Sequence, residues 1–131
     1  MEIKFRCWYD NKMHVVNDIY FGRKKINLFA SDIINFNEGI LMQNTGLKDR
    51  QGNEIFDGDY ILYDTGNLKS LIKVGRGKIT FTFKRWNKYD TKWRNSTYQG
   101  IDVYGQVIGN IYEGIKFKKI ENEILKEGIE I

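Results

Sequence analysis

Residues 41–61 read LMQNTGLKDRQGNEIFDGDYI, and we call this segment the decisive stretch because its turns set the order of the strands around it. Short apolar runs alternate in it with residues that favour turns. The segment 49–53 predicts a hairpin-like turn, in which the glycine is free to take a positive φ. A second tight turn follows at 57–59, where either carboxylate can accept a hydrogen bond from a nearby backbone amide. We therefore expect strand, turn, short strand, turn and strand, with four structural turn residues: Gly52, Asp57, Gly58 and Asp59.

The short strand between these turns carries Ile55 and Phe56. We expect both side chains to be buried, because they must hold the two turns in place. The carboxylates around them allow two interpretations, of which one is a metal site, since hard cations such as Mg²⁺ prefer carboxylate oxygens. The other is turn structure, because carboxylates beside a glycine in a tight turn commonly bond the backbone. No further ligands or general base accompany them, so the sequence predicts turn structure, with no metal, no cofactor and no catalytic residues.

The N-terminal segment alternates between apolar and polar residues over positions 2–8, which predicts a strand with one buried face. Asp10-Asn11-Lys12 is a turn signal, so residues 13–16 are expected to return as the second arm of a hairpin. The only cysteine, Cys7, lies in the first strand. A catalytic thiol is one interpretation of it, but a cysteine in such a strand is better explained as a small buried hydrophobe.

Residues 17–39 show no sustained periodicity, and we expect mostly loop with short strand pieces there. Ser31 or Asp32 offers an alternative, since either side chain is able to cap a short helix over residues 33–36. Asparagine and glycine within and after that segment weaken the helix interpretation.

A long hairpin is predicted at residues 68–86. Its second arm alternates clearly, with Ile79, Phe81 and Phe83 on the face that we assign to the core. Residues 103–112 are expected to form a final strand pair or one bent strand. The tail at 116–127 places isoleucines at helical spacing, which predicts a short C-terminal helix or tail.

The fold class that follows is all-β or β-rich, in a single domain covering residues 1–131. Connections between the strands are too short for crossover helices, so the sheet is expected to be antiparallel. The architecture we expect is a small, strongly bent barrel of the SH3-like kind. No apolar run approaches the roughly 20 residues needed to span a bilayer. No signal peptide opens the chain, and the single cysteine fits a reducing cytoplasm, so we expect a cytoplasmic protein without a membrane partner.

Three segments of the chain resemble one protein family. Residues 41–61 resemble its core signature, residues 2–8 (EIKFRCW) its opening strand, and residues 107–113 (VIGNIYE) its closing strand. The family is the YopX family of phage and prophage proteins. The resemblance implies a phage- or prophage-encoded protein that acts in the bacterial host cytoplasm, and it supplies no catalytic residues to carry over. Gly114 stands where other members are expected to continue with Asn, which affects only the exit from the last strand.

Charge is spread unevenly along the chain, whose net charge is +4. Residues 49–64 hold one basic and five acidic residues, whereas residues 66–99 hold nine basic residues and a single acidic one, Asp90. Aromatic residues are interleaved with the basic ones, as in surfaces that follow a phosphate backbone and stack on bases. The candidates for binding nucleic acid or another partner are Lys69, Lys73, Arg76, Lys78, Lys84, Arg85, Trp86, Lys88, Tyr89, Lys92, Trp93 and Arg94. A solvated face, or packing of the three aromatic residues, is the alternative for each.

Three classes of function remain open at this point. The first is a non-enzymatic binding module of a phage or prophage that contacts nucleic acid through this basic, aromatic hairpin. The second is a protein-interaction factor, able to form homo-oligomers, that binds an acidic or other protein of the host or phage. The third is a metal-dependent enzyme, which would need a clustered ionisable site that the sequence does not indicate.

Overall fold

The computed structural model describes residues 3–30, 32–77, 80–87, 89 and 92–115. The chain divides into two compact units, Met1–Asn44 and Thr45–Ile131, and each is described by itself. That the whole chain forms one domain stays a prediction. The expected C-terminal helix or tail lies outside the described residues.

The described residues form short antiparallel strands and almost no helix. The strands are β1 (Phe5–Tyr9), β2 (Lys12–Tyr20), β3 (Lys25–Leu28), β4 (Ile33–Asn35), β5 (Ile40–Lys48), β6 (Glu54–Phe56), β7 (Asp59–Asp64), β8 (Lys69–Arg76), β9 (Phe81–Trp86), β10 (Arg94–Asn95), β11 (Gly105–Asn110) and β12 (Gly114–Ile115). They form two six-stranded sheets, with the orders β4-β3-β2-β1-β5-β6 and β10-β9-β8-β7-β11-β12. The all-β prediction is confirmed, and the SH3-like barrel stays a prediction.

The first unit is built on the predicted N-terminal hairpin. Strands β1 and β2 pair antiparallel, with Trp8 opposite Met13. The core of the unit is the Cys7 cluster, which consists of Cys7, Ile26, Leu28 and Ile34. Burial of Cys7 raises the pKa of its thiol, although a backbone hydrogen bond at Ile40 opposes the effect. Cys7 is therefore a core residue, as the sequence predicts.

The segment 17–39 is more regular than expected. Strand β2 continues to Tyr20, and β3 and β4 follow it as an antiparallel meander. The alternative of a capped helix over residues 33–36 is wrong, because Ile33–Asn35 is a strand whose central residue, Ile34, enters the Cys7 cluster. A single turn of 3₁₀ helix, Phe36–Glu38, comes only after it. Ser31 lies outside the described residues.

The decisive stretch folds as strand, turn, short strand, turn and strand, through β5, β6 and β7. Gly52 and Gly58 have φ angles of +83° and +89°, the left-handed region that the two turns need. Ile55 is fully buried, as predicted. Phe56 is partly buried, and less so than Ile55, because it stands one residue away on a strand and successive side chains point to opposite faces.

The second unit buries side chains on both faces of its sheet. One face, which we call face A, carries a core cluster that includes Ile61, Ile72, Val74 and Phe83. The opposite face, face B, carries a smaller cluster of Tyr60, Leu62, Leu71 and Ile108. The long hairpin that the sequence predicts is the β8–β9 pair. Phe83 is buried in the face A cluster and Phe81 packs against it, which confirms their assignment to the core.

The predicted final strand region begins instead with one turn of α helix. Helix α1 (Ile101–Tyr104) precedes β11, and Ile101 is buried in the face A cluster. Strand β11 then pairs with β7, with a register shift between Val107 and Gly109. A Cβ at Gly109 would lie 2.0 Å from the carbonyl oxygen of Gly114, so this strand needs a glycine for the close approach of β12.

Candidate nucleic-acid interface

The nine basic residues between positions 66 and 99 form what we call the basic block, and two of its lysines lie side by side on face B. Lys73 on β8 is directly opposite Lys84 on β9 in the register of the hairpin. Directly opposed residues on adjacent strands point to the same face, and like charges in that arrangement destabilise the pair. Both lysines are half-buried. Their ammonium groups therefore form a concentrated positive charge on one side of the sheet.

Each lysine has a neutral partner. The Nζ of Lys73 lies 4.5 Å from the centre of the Trp93 ring, which is a cation–π contact. The Nζ of Lys84 donates a hydrogen bond to the Oδ1 of Asn95, the residue opposite it on β10. Neither contact neutralises a charge, so the positive charge of the pair remains available to an anion. We call Lys73, Lys84 and Trp93 the lysine-pair surface.

The tryptophans divide between core and surface. Trp86 is only 6% exposed, and its ring meets that of Trp93 edge-on at a centroid distance of 5.8 Å. Trp86 is therefore a packing residue and not a binding residue, because a buried indole has no free face on which a base can stack. Trp93 packs against the face B cluster and stays half-exposed. It keeps part of its ring available to a partner.

The loop between β9 and β10 adds exposed candidates. Tyr89 is 72% exposed, and its backbone N–H is anchored by the side chain of Asn87 at 3.0 Å. Lys92 is also exposed. An aromatic ring that is held by its backbone but open to solvent is a suitable stacking platform. Lys78 and Lys88 lie outside the described residues.

The arginines of the block lie apart from the lysine-pair surface. Arg85 is opposite Ile72 on β8 and opposite Arg94 on β10, which places it with the face A residues. Strand β9 continues to Trp86, so the alternation of the strand keeps Arg85 on face A rather than beside Lys84. Lys69 and Arg76 are exposed at the two ends of β8.

Two acidic residues of the decisive stretch bond the backbone. Asp49 is buried, and its carboxylate accepts hydrogen bonds from the backbone N–H groups of Gln51, Asn53 and Val107, each at 2.9 Å. Burial by itself would raise the pKa of this carboxyl, but these hydrogen bonds outweigh that effect and lower the pKa. Asp59 is also buried, and its Oδ2 accepts the N–H of Phe56 at 2.8 Å. Among the described residues, no group of three or more His, Cys, Asp or Glu is placed to hold a metal ion.

The sequence reasoning missed a cleft in the second unit. It lies on face A, has a volume of about 440 Å³, and is lined by residues of β7, β8 and β9 and of the segment 95–99. The signal available was weak: it was the parity of Arg85 along β9, which places this residue on the same face as Phe81 and Phe83. No described helix is long and apolar enough to cross a membrane.

Comparison with known proteins gives a family and a fold. No curated protein matches the chain. The crystal structure of protein EF1440 from Enterococcus faecalis is similar, with a TM-score of 0.60 and 23% sequence identity, over 86% of this chain and 95% of that one. At this identity the likeness shows the fold alone. The family described as YopX protein matches residues 4–116, which are most of the chain and overlap all three segments that resemble it in sequence. The chain therefore belongs to the YopX protein family.

Proposed function

We propose that this YopX protein is a non-enzymatic binding protein that contacts single-stranded nucleic acid through the lysine-pair surface. The observation that carries the proposal is the direct opposition of Lys73 and Lys84 on β8 and β9, beside the half-exposed ring of Trp93. Two like charges held together cost stability, and a bound phosphate would relieve that cost. Residues 66–99 hold nine basic residues and a single acidic one, Asp90, so the segment carries a net positive charge that attracts phosphates.

The chemistry of the surface favours a single strand over a duplex. Phosphates would meet the two ammonium groups, and bases would stack on Trp93 and on the exposed ring of Tyr89. Bases in a duplex are already stacked on each other, so only an unpaired strand can use both features. Lysines act as point charges and read no base edges here, so binding would be largely independent of sequence and sensitive to salt.

A pull-down from lysogenic or infected cells, with and without nuclease, tests this function. Tagged wild-type protein is expected to recover nucleic acid, and nuclease is expected to remove most co-purifying proteins, since they would be held through the strand. The matched comparison is Lys73→Gln/Lys84→Gln against Lys12→Gln/Arg23→Gln, which removes two charges from the first unit instead. Equal recovery of nucleic acid by both double variants would contradict the proposal.

A second candidate function is protein interaction or homo-oligomerisation. Exposed apolar residues on one face of the first unit favour it. Val15, Ile33 and Ile40 are exposed on the side of its sheet that points away from the Cys7 cluster. Exposed apolar groups that share one face are typical of surfaces that another chain covers. Light scattering tests it: Ile33→Lys should lower the measured molar mass, whereas Val103→Lys should not. Ile33 and Val103 are both 60% exposed, which makes them a matched pair.

We also propose the setting that the family resemblance implies. The protein would be encoded by a phage or prophage and would act in the bacterial cytoplasm, where a reducing environment suits its single, buried cysteine. The absence of enzymatic activity, metal and cofactor is part of the same proposal. It is supported by the use of the carboxylates of Asp49 and Asp59 in backbone hydrogen bonds.

A further inference from the structure

The cleft on face A is built differently from the lysine-pair surface. Its apolar part comes from Tyr63, Leu68 and Ile72, and its polar part includes Arg85, Ser70 and Thr97. Four more uncharged polar residues complete the lining, so Arg85 is the only charged residue among the ten. A volume of about 440 Å³ lies within the range of about 300–1,000 Å³ that small-molecule sites occupy.

Arg85 is held in place by its position in the sheet. It lies in the middle of three strands, opposite Ile72 on one side and Arg94 on the other. A guanidinium offers paired N–H donors that match the two oxygens of a phosphate or carboxylate. The cleft therefore combines one anion-binding group with an apolar wall.

From this combination we propose that the cleft binds a small organic anion, with its phosphate or carboxylate on Arg85 and its apolar body against Tyr63, Leu68 and Ile72. This site is on the opposite face from the lysine-pair surface, so it does not rest on the function proposed above. The hydroxyl groups of Ser70 and Thr97 can supply further hydrogen bonds to the anionic group.

Isothermal titration with simple probes tests separately the contribution of the anionic group and that of the apolar body to binding. Phenyl phosphate carries both the anion and the apolar body, inorganic phosphate lacks the body, and benzyl alcohol lacks the charge. Phenyl phosphate is expected to bind at least ten times more tightly than either of the other two. Benzoate compared with phenyl phosphate then distinguishes a carboxylate from a phosphate as the preferred anion. Equal affinity for phenyl phosphate and inorganic phosphate, or no binding by any anion at millimolar concentration, would overturn the proposal.

Matched variants locate the site. Arg85→Gln should weaken phenyl phosphate binding at least tenfold, and Arg85→Lys should lose less, because it keeps the charge and loses only the paired donors. Arg23→Gln removes the same charge from an exposed position in the first unit, outside both proposed sites, and should leave phenyl phosphate binding within twofold of wild type. Lys73→Gln/Lys84→Gln should weaken binding of single-stranded DNA and Arg85→Gln should not, so failure of one site is distinguishable from failure of the other. If Arg85→Gln proves unfolded by circular dichroism, Arg85→Lys decides: full retention of both affinity and probe preference would contradict the role of Arg85.

Discussion

The carboxylate of Asp49 accepts a hydrogen bond from the backbone N–H of Val107 at 2.9 Å, across a separation of 58 residues. The backbone carries a second link nearby, from the N–H of Arg50 to the carbonyl oxygen of Gly105, also at 2.9 Å. Both join the first turn of the decisive stretch to β11. Asp49 therefore links two of the three segments that resemble the YopX family. It lies in the segment 41–61 and hydrogen-bonds the segment 107–113.

Asp49→Ala should destabilise the protein strongly. It leaves three backbone N–H groups without their acceptor, and an orphaned buried group costs about 1–3 kcal/mol. We expect a loss of at least about 2 kcal/mol in the free energy of unfolding, measured by urea denaturation. Asp64→Ala is the control, because Asp64 makes the same kind of turn contact, to the N–H of Gly66, in an exposed position. Equal losses of unfolding free energy from the two variants would show that the burial of Asp49 does not increase its contribution to stability.

The same carboxylate predicts a pH dependence. Its pKa is lowered in the folded protein, so the folded state binds fewer protons there than the unfolded chain does. Its contribution to stability is therefore complete above the unfolded carboxyl pKa of about 3.9, and is lost as the pH falls through the lowered value. The difference in unfolding free energy between wild type and Asp49→Asn should accordingly shrink on acidification from neutral pH. A difference that stays constant down to pH 2 would contradict the pKa direction.

Ile55 and Phe56 should differ in how much they stabilise the fold. Ile55 is fully buried in the face A cluster, so Ile55→Ala should cost about 2–5 kcal/mol, the range for large core truncations. Phe56→Ala should cost clearly less, since its ring is only partly buried. Urea denaturation of both variants measures the comparison. A larger loss from Phe56 would mean that the β6 strand presents its other face to the core.

Gly58 is expected to tolerate no branched side chain. Its φ of +89° is strained for any residue with a Cβ, and its N–H and carbonyl oxygen bond to Val74 and Ile111, at 2.8 Å each, so the turn cannot relax locally. Gly58→Val should lower the unfolding free energy by about 1–3 kcal/mol. Gly22→Val is the control, because a Cβ at Gly22 meets nothing within 4 Å and that residue has no positive φ. A melting temperature for Gly58→Val equal to that of the control would refute the turn requirement.

The sequence predicted the parts of the fold whose turns are marked by Gly, Asn or Asp. The β1–β2 hairpin, the decisive stretch and the β8–β9 hairpin all have such turns. Strands β3 and β4 were expected only as short strand pieces within a loop, and their bounds were not predicted. The residues with left-handed backbone at the two reversals are Lys24 and Ala30, with φ angles of +54° and +51°, and neither residue type signals a turn. The alternation of Ile26 and Leu28 is present in the sequence, but four residues are too few to establish a period.

The candidate site was predicted only in part for a related reason. Counting charges along the sequence finds the basic block, but it does not show which of its residues lie on face A and which on face B. The pairing register of β8, β9 and β10 decides that. That register brings Lys73 to Lys84 and Arg85 to Arg94, on opposite sides of one sheet. The burial of Trp86 follows from the same parity, since it is opposite Leu71 of the face B cluster. None of these cross-strand relationships can be read from composition.

The salt dependence of binding to single-stranded DNA tests the lysine-pair surface most directly. Fluorescence anisotropy with a labelled oligonucleotide over a salt series should give a logarithm of affinity that falls linearly with the logarithm of salt concentration, by about 0.7 per phosphate neutralised. Lys73→Gln/Lys84→Gln should reduce that slope by about one to two, whereas Lys12→Gln/Arg23→Gln should leave it unchanged. Both double variants should melt within a few degrees of wild type, since half-buried and exposed lysines contribute little to the core. No binding by wild type at micromolar concentration in low salt, or equal slopes for both double variants, would contradict the proposed interface.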